Sequence, residues 1–132
     1  MERNLALVRA ARKVDVGALL RAAALLASLA DPAFLEAMKK DLLTAYGDHA
    51  DAPFLLRHHT ELGDVVFGGT ASTWHRSAGD CAIFDLGGDD FYTASCGAGN
   101  SFVKPVGIVV DFAGNDAYAS TTEQAQASGS LG

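Results

Sequence analysis

The chain has 132 residues, 49% of them apolar and 20% charged, with a net charge of −6; this is enough apolar content for a domain with a core and too much for a disordered tail. The acidic balance removes any general attraction to nucleic-acid phosphates or anionic lipid, so no nucleic-acid partner is expected. Arg21 interrupts the most apolar stretch, residues 16–30, so no membrane span is expected, and the same arginine spoils a signal peptide there. The compartment is left undefined. Cys81 and Cys96 lack Cys-x-x-Cys spacing and are too few for a disulfide scaffold.

The two halves differ in character. Residues 1–60 carry eight Lys/Arg and seven Asp/Glu, whereas residues 61–132 carry two and nine, together with twelve of the fourteen glycines. The first half, residues 1–60, is expected to be a helical segment. Asp15 is placed to cap a helix over residues 16–30 with Leu19, Ala22, Ala23, Leu26 and Leu29 as its apolar stripe. Asp31-Pro32 signals the start of a second helix, Pro32–Tyr46, with Phe34, Met38, Leu42 and Ala45 on one face and Gly47 ending it in a left-handed conformation. The short connection at Asp31 predicts an antiparallel hairpin of the two. Residues 4–12 suggest a further helical piece.

The second half, residues 61–132, repeats itself. Residues 82–92 align with 108–118 at an offset of 26, with Asp85/Asp111, Gly88/Gly114, Asp90/Asp116 and Tyr92/Tyr118 identical. Upstream, residues 65–74 align at an offset of 18, which puts Phe67 on Asp85, Gly69 on Gly87, Ser72 on Asp90 and Trp74 on Tyr92. Repeats this short cannot bury their own apolar faces and must stack. The fold class expected is therefore α+β: the helical hairpin packed on or capping a short right-handed parallel β-helix, with rungs near residues 64–76, 81–105 and 106–130. Leu131-Gly132 matches Val106-Gly107, which suggests an array truncated at the C-terminus whose open last strand invites self-association. Stacking at about 4.8 Å would set like on like, making columns of aspartate and of tyrosine.

Asp-Leu-Gly-Gly-Asp-Asp-Phe-Tyr at residues 85–92 and Asp-Phe-Ala-Gly-Asn-Asp-Ala-Tyr at 111–118 resemble a repeat of bacterial proteins of unassigned function. Val66-Phe67-Gly68-Gly69 is similar to that family's opening strand, and residues 124–129 are similar to its Gln/Ala/Gly connector. The resemblance implies a β-solenoid and no activity. There is also a distant similarity to calcium-binding RTX repeats, but their nonapeptide period is missing.

The stacked acids allow three roles. They can accept hydrogen bonds from turn amides, as Asp and Asn do beside glycine. Asp85, Asp90, Asp111 and Asp116 can instead bind Ca²⁺ through oxygen-only ligands, the one cofactor that the residue types suggest. Or the same four can be catalytic carboxylates of a polysaccharide-active enzyme. The leading expectation is a non-catalytic structural or interaction module with a glycan or protein as ligand; the enzyme and the calcium-stabilised module are the alternatives. His49, His58, His59, His75, Cys81 and Cys96 show no zinc-motif spacing. His58-His59 reads as a solvated junction, Cys81 as a buried or half-buried strand residue, and residues 96–100 as a turn connector without the lysine of a phosphate loop.

Overall fold

The computed structural model describes residues 9, 12–13, 15–77, 79–93 and 107–119. The chain divides into two compact units, Met1–Met38 and Lys39–Gly132. The expected helical piece over residues 4–12 falls almost wholly outside the described residues, as do Cys96, the connector at 124–129 and the terminal strand at 131–132.

Helix α1 is Val16–Ser28, capped by Asp15, whose carboxylate accepts from the Ala18 amide at 2.9 Å. Helix α2 is Pro32–Tyr46, and Asp31 caps it by accepting from the Phe34 amide at 3.0 Å. Gly47 closes α2 with φ +49°, a conformation that costs a glycine little. Both caps and the glycine stop agree with the sequence. The hairpin does not: the helices meet at a bend of 48°, and Ala22, Ala23 and Leu26 are exposed. In α2 the half-buried positions are Leu35, Met38, Lys39, Leu42 and Tyr46, while Phe34 and Ala45 are exposed. No single helix among the described residues is long and apolar enough to cross a membrane.

The second unit is built from two sheets. Strands β1 (Phe54–Thr60), β2 (Gly63–Gly68), β4 (Asp80–Asp85) and β6 (Ile108–Asp111) form a four-stranded sheet in the order β1-β2-β4-β6. Strands β3 (Trp74–His75), β5 (Phe91–Tyr92) and β7 (Ala117–Tyr118) form a three-stranded sheet in that order. The expected right-handed parallel β-helix is thereby corrected. The larger sheet is mixed: β1 folds back on β2 as an antiparallel hairpin across Glu61-Leu62, and only the β2-β4-β6 pairings are parallel. The smaller sheet consists of strands two residues long. Among the described residues the architecture is a small α+β fold with two α-helices, one mixed sheet and one parallel sheet.

The register is informative. Ile83 pairs with Val109 and Asp85 with Asp111, while Tyr92 pairs with Tyr118, which is the offset of 26. The first step is different. Val66 pairs with Ile83, Gly68 with Asp85, Trp74 with Phe91 and His75 with Tyr92, an offset of 17 in place of 18. A one-residue slip exchanges the two faces of a strand, so His75, not Trp74, takes the tyrosine position. Trp74 and Phe91 point outward, 53% and 37% exposed, while His75 and Tyr92 are sealed at 1% and 0%. Val66, Ile83 and Tyr92 make the core, with Val109 packed against it. On the other face of the larger sheet Phe67 stacks on Phe84 at 5.6 Å.

Candidate functional site

The inward positions of β3, β5 and β7 place three rings in a column. His75 lies 4.6 Å from Tyr92, and Tyr92 lies 4.7 Å from Tyr118, each pair within 7° of parallel. Facing them, the ends of β2, β4 and β6 carry Gly68, Asp85 and Asp111. Two of the rings reach one repeat ahead: His75 Nε2 bonds Asp85 Oδ2 at 2.9 Å, and the Tyr92 hydroxyl donates to Asp111 Oδ2 at 2.7 Å. The other oxygen of each carboxylate closes its own turn, Asp85 accepting from the Gly87 amide at 3.0 Å and Asp111 from the Ala113 amide at 3.2 Å. These are the Asx-type turns that Asp beside glycine favours.

A second set of acids stitches the turns together. Asp90 Oδ1 accepts from the Thr73 amide at 2.6 Å, and Asp116 Oδ1 accepts from the Asp90 amide at 3.0 Å. Next to them the Asp89 amide donates to Ser72 Oγ, and the Asn115 amide donates to Asp89 Oδ1. Gly88 and Gly114 have φ of +126° and +147°, and a Cβ on Gly114 would lie against the carbonyl oxygen of Gly88. The turns therefore nest only because both residues are glycine.

Burial sets the electrostatics. Asp85 and Asp90 are 0% and 2% exposed. Burial, reinforced by the Asp85 charge, pushes the Asp90 carboxyl up to about 6, against the Thr73 amide that favours its charged form. Burial also raises Asp111, while the Tyr92 hydroxyl opposes that rise. The Tyr92 phenol is held well above its ordinary value by burial and by donating its hydroxyl hydrogen to the Asp111 carboxylate. Two buried polar atoms have no hydrogen-bond partner among the described residues: His75 Nδ1 and Asp90 Oδ2.

All four aspartates singled out in the sequence converge here, in two overlapping triples with metal-ligand spacing. His75, Asp85 and Asp90 form one triple, and Asp90, Asp111 and Asp116 the other, with the ligand atoms of each within 4.8 Å of one another. Sequence reasoning missed His75 as a member, because alignment on Trp74 hid its place in the column. It also missed an ion cluster on the hairpin. Arg57 of β1 bridges Asp64 of β2 and Asp80 of β4, and His59 Nδ1 bonds Asp64 at 2.7 Å. These contacts hold the Asp64 carboxyl below its usual range, the His59 bond first and the Arg57 bond next. His58 and His59 are exposed residues of a strand rather than a junction. Cys81 is buried and free.

No protein-family model, no curated protein and no solved structure matches this chain. Fold and site together define its class: a small α+β protein whose described residues include acidic groups that could hold a metal.

Proposed function

We propose that the second unit is a non-catalytic structural or interaction module in which the repeated acids fasten one repeat to the next. The observation that carries this reading is that the aromatic–carboxylate bonds cross between repeats, His75 to Asp85 and Tyr92 to Asp111. Further support comes from the burial of Asp85 and Asp90. A carboxylate that protonates a glycosidic oxygen has to touch the sugar, and these two carboxylates are covered. The resemblance of residues 85–92 and 111–118 to bacterial repeat proteins of unassigned function favours the same role.

The test pairs stability with turnover. Asp85→Asn and Asp111→Asn should lower the melting temperature, and the wild type should cleave none of a panel of acidic and neutral polysaccharides. Glycan cleavage that disappears in Asp90→Asn or Asp116→Asn, with the melting temperature unchanged, would replace this reading with an enzyme.

The Asp90, Asp111 and Asp116 triple favours a second reading, a calcium-stabilised module, because its donors are all carboxylate oxygens. An ion that binds only the folded chain raises the melting temperature by linkage. A melt in millimolar Ca²⁺ that matches the melt in EDTA would end it.

A further inference from the structure

We propose that His75, Asp85 and Asp90 form a buried site for a divalent ion of the zinc class. Their three ligand atoms lie within 4.8 Å of one another, and the residues are 1%, 0% and 2% exposed. The independent sign is what remains unsatisfied inside the cluster: Asp90 Oδ2, on a residue 2% exposed, lacks a partner among the described residues. A buried polar atom left unpaired costs about 1–3 kcal/mol, and a cation held beside Asp90 would remove that cost.

Charge points the same way. Among the described residues, Arg57 is committed to Asp64 and Asp80, while Asp85 has the His75 imidazole as a hydrogen-bond partner. The buried carboxylates of Asp85 and Asp90 thus face each other's charge with no lysine or arginine between them, which is the situation a cation relieves.

The donor set selects the ion. One imidazole nitrogen with two carboxylate oxygens suits a tetrahedral zinc-class ion that keeps one further position, whereas calcium takes six to eight oxygens. Two donors each about 2.1 Å from a tetrahedral ion stand roughly 3.4 Å apart. His75 Nε2 and Asp85 Oδ2 are already 2.9 Å apart, and the Asp90 carboxylate needs to close by at most about 1.4 Å, a side-chain rotation. Because the three residues are sealed, the ion enters as the chain folds and leaves when it unfolds. The site shares residues with the fastening role proposed above but does not depend on it, since that role requires no ion.

The experiment refolds the full chain from denaturant with Co²⁺, a coloured stand-in for zinc. The expected result is one Co²⁺ per chain with the visible absorption of tetrahedral coordination, resistant to EDTA until the protein is unfolded and absent when Zn²⁺ is supplied first. His75→Tyr installs the residue that Tyr92 and Tyr118 occupy in the column, so it keeps the ring stack and offers Asp85 a hydroxyl, as Tyr92 does to Asp111. That variant should fold, with a native circular dichroism spectrum, and take up no Co²⁺. Asp90→Asn keeps an acceptor for the Thr73 amide and should bind Co²⁺ at least tenfold more weakly, which decides the matter if His75→Tyr does not fold. No uptake by the refolded wild type would overturn the proposal. So would equal uptake in the wild type and both variants, which would place the ion on exposed histidines, or stabilisation by Ca²⁺ but not by Zn²⁺. A loss of Co²⁺ binding in His75→Tyr without loss of stability separates the metal site from the fastening role.

Discussion

Gly68→Ala is the sharpest perturbation the site offers. A Cβ built on Gly68 lies 1.9 Å from Asp85 Oδ2 and 2.5 Å from its Cγ, so the carboxylate has to retreat by more than about 1 Å to reach ordinary contact distance. Asp85 is fully buried and held at 2.9 Å by His75 and 3.0 Å by the Gly87 amide. Such a retreat takes both bonds to or beyond hydrogen-bond range. Hydrogen bonds to a charged group contribute about 1.5–3 kcal/mol each, and overpacking adds about 1–3 kcal/mol. Allowing for partial repacking, the expected loss is about 3–5 kcal/mol. At roughly 4 °C or more per kcal/mol for a unit of this size, the melting temperature should fall by at least about 12 °C. The assay is urea and thermal unfolding of four proteins: wild type, Gly68→Ala, Asp85→Ala and the double variant. Once Asp85 is alanine the clash is gone, so Gly68→Ala should then cost under about 1 kcal/mol, a strongly non-additive cycle. Elsewhere a harmless Gly→Ala stabilises by about 0.4–1 kcal/mol through the unfolded chain. A neutral or stabilising Gly68→Ala, or an additive cycle, would refute the pairing of Gly68 with Asp85.

Tyr92→Phe removes the hydroxyl that donates to Asp111 and should cost about 1.5–3 kcal/mol in urea unfolding; a second Asp111→Asn substitution should then add little, and two fully additive losses would contradict the bond. Asp90 supplies a pH dependence. In the folded chain its proton is held to about pH 6, whereas the unfolded group loses it near 3.8, so the native state binds more protons between those values and stability falls as pH rises through that window. The fall amounts to roughly 3 kcal/mol and is complete above the folded value. Asp90→Asn, measured in EDTA, should lack it, and parallel profiles for the two proteins would contradict the assignment. Arg57→Ala leaves the buried Asp80 carboxylate without its guanidinium and should cost about 1–3 kcal/mol, toward the lower end because Arg57 is half in solvent; a loss below about 0.5 kcal/mol would mean that water replaces the pair fully.

What the sequence made legible follows the strength of local chemistry. Asp15, Asp31 and Gly47 act within four residues of themselves, so both helix starts and the stop of α2 could be read directly. The offset of 26 was legible because identical Asp, Gly and Tyr positions recur without a gap. The offset of 17 was not. The first repeat has no acids, so glycine and the largest aromatic guided the alignment, whereas the pleat demands an inward ring able to bond Asp85, and His75 meets that demand. Strand β1 was hidden for another reason. Arg57, His58 and His59 give it no apolar alternation, and it is held by pairing with β2 and by the Arg57 ion pairs. The β-helix expectation failed because the antiparallel hairpin of β1 and β2 cannot be seen in a repeat that begins within β2 and leaves β1 out. The helix stripes failed because periodicity shows which residues share a face and not whether anything covers it.

The two registers differ in only one place. Gly68 to Trp74, Asp85 to Phe91 and Asp111 to Ala117 are each the same six-position step from one sheet to the other. The return is unequal: four residues separate His75 from Asp80, and fifteen separate Tyr92 from Ile108. The outbound turn is constant in length, and glycines and Asx bonds fill it after Asp85 and Asp111, while the return differs by eleven residues between the two steps. A sequence profile that assumes one constant period would therefore misplace His75, whereas one anchored on the six-position outbound step would align all three rings.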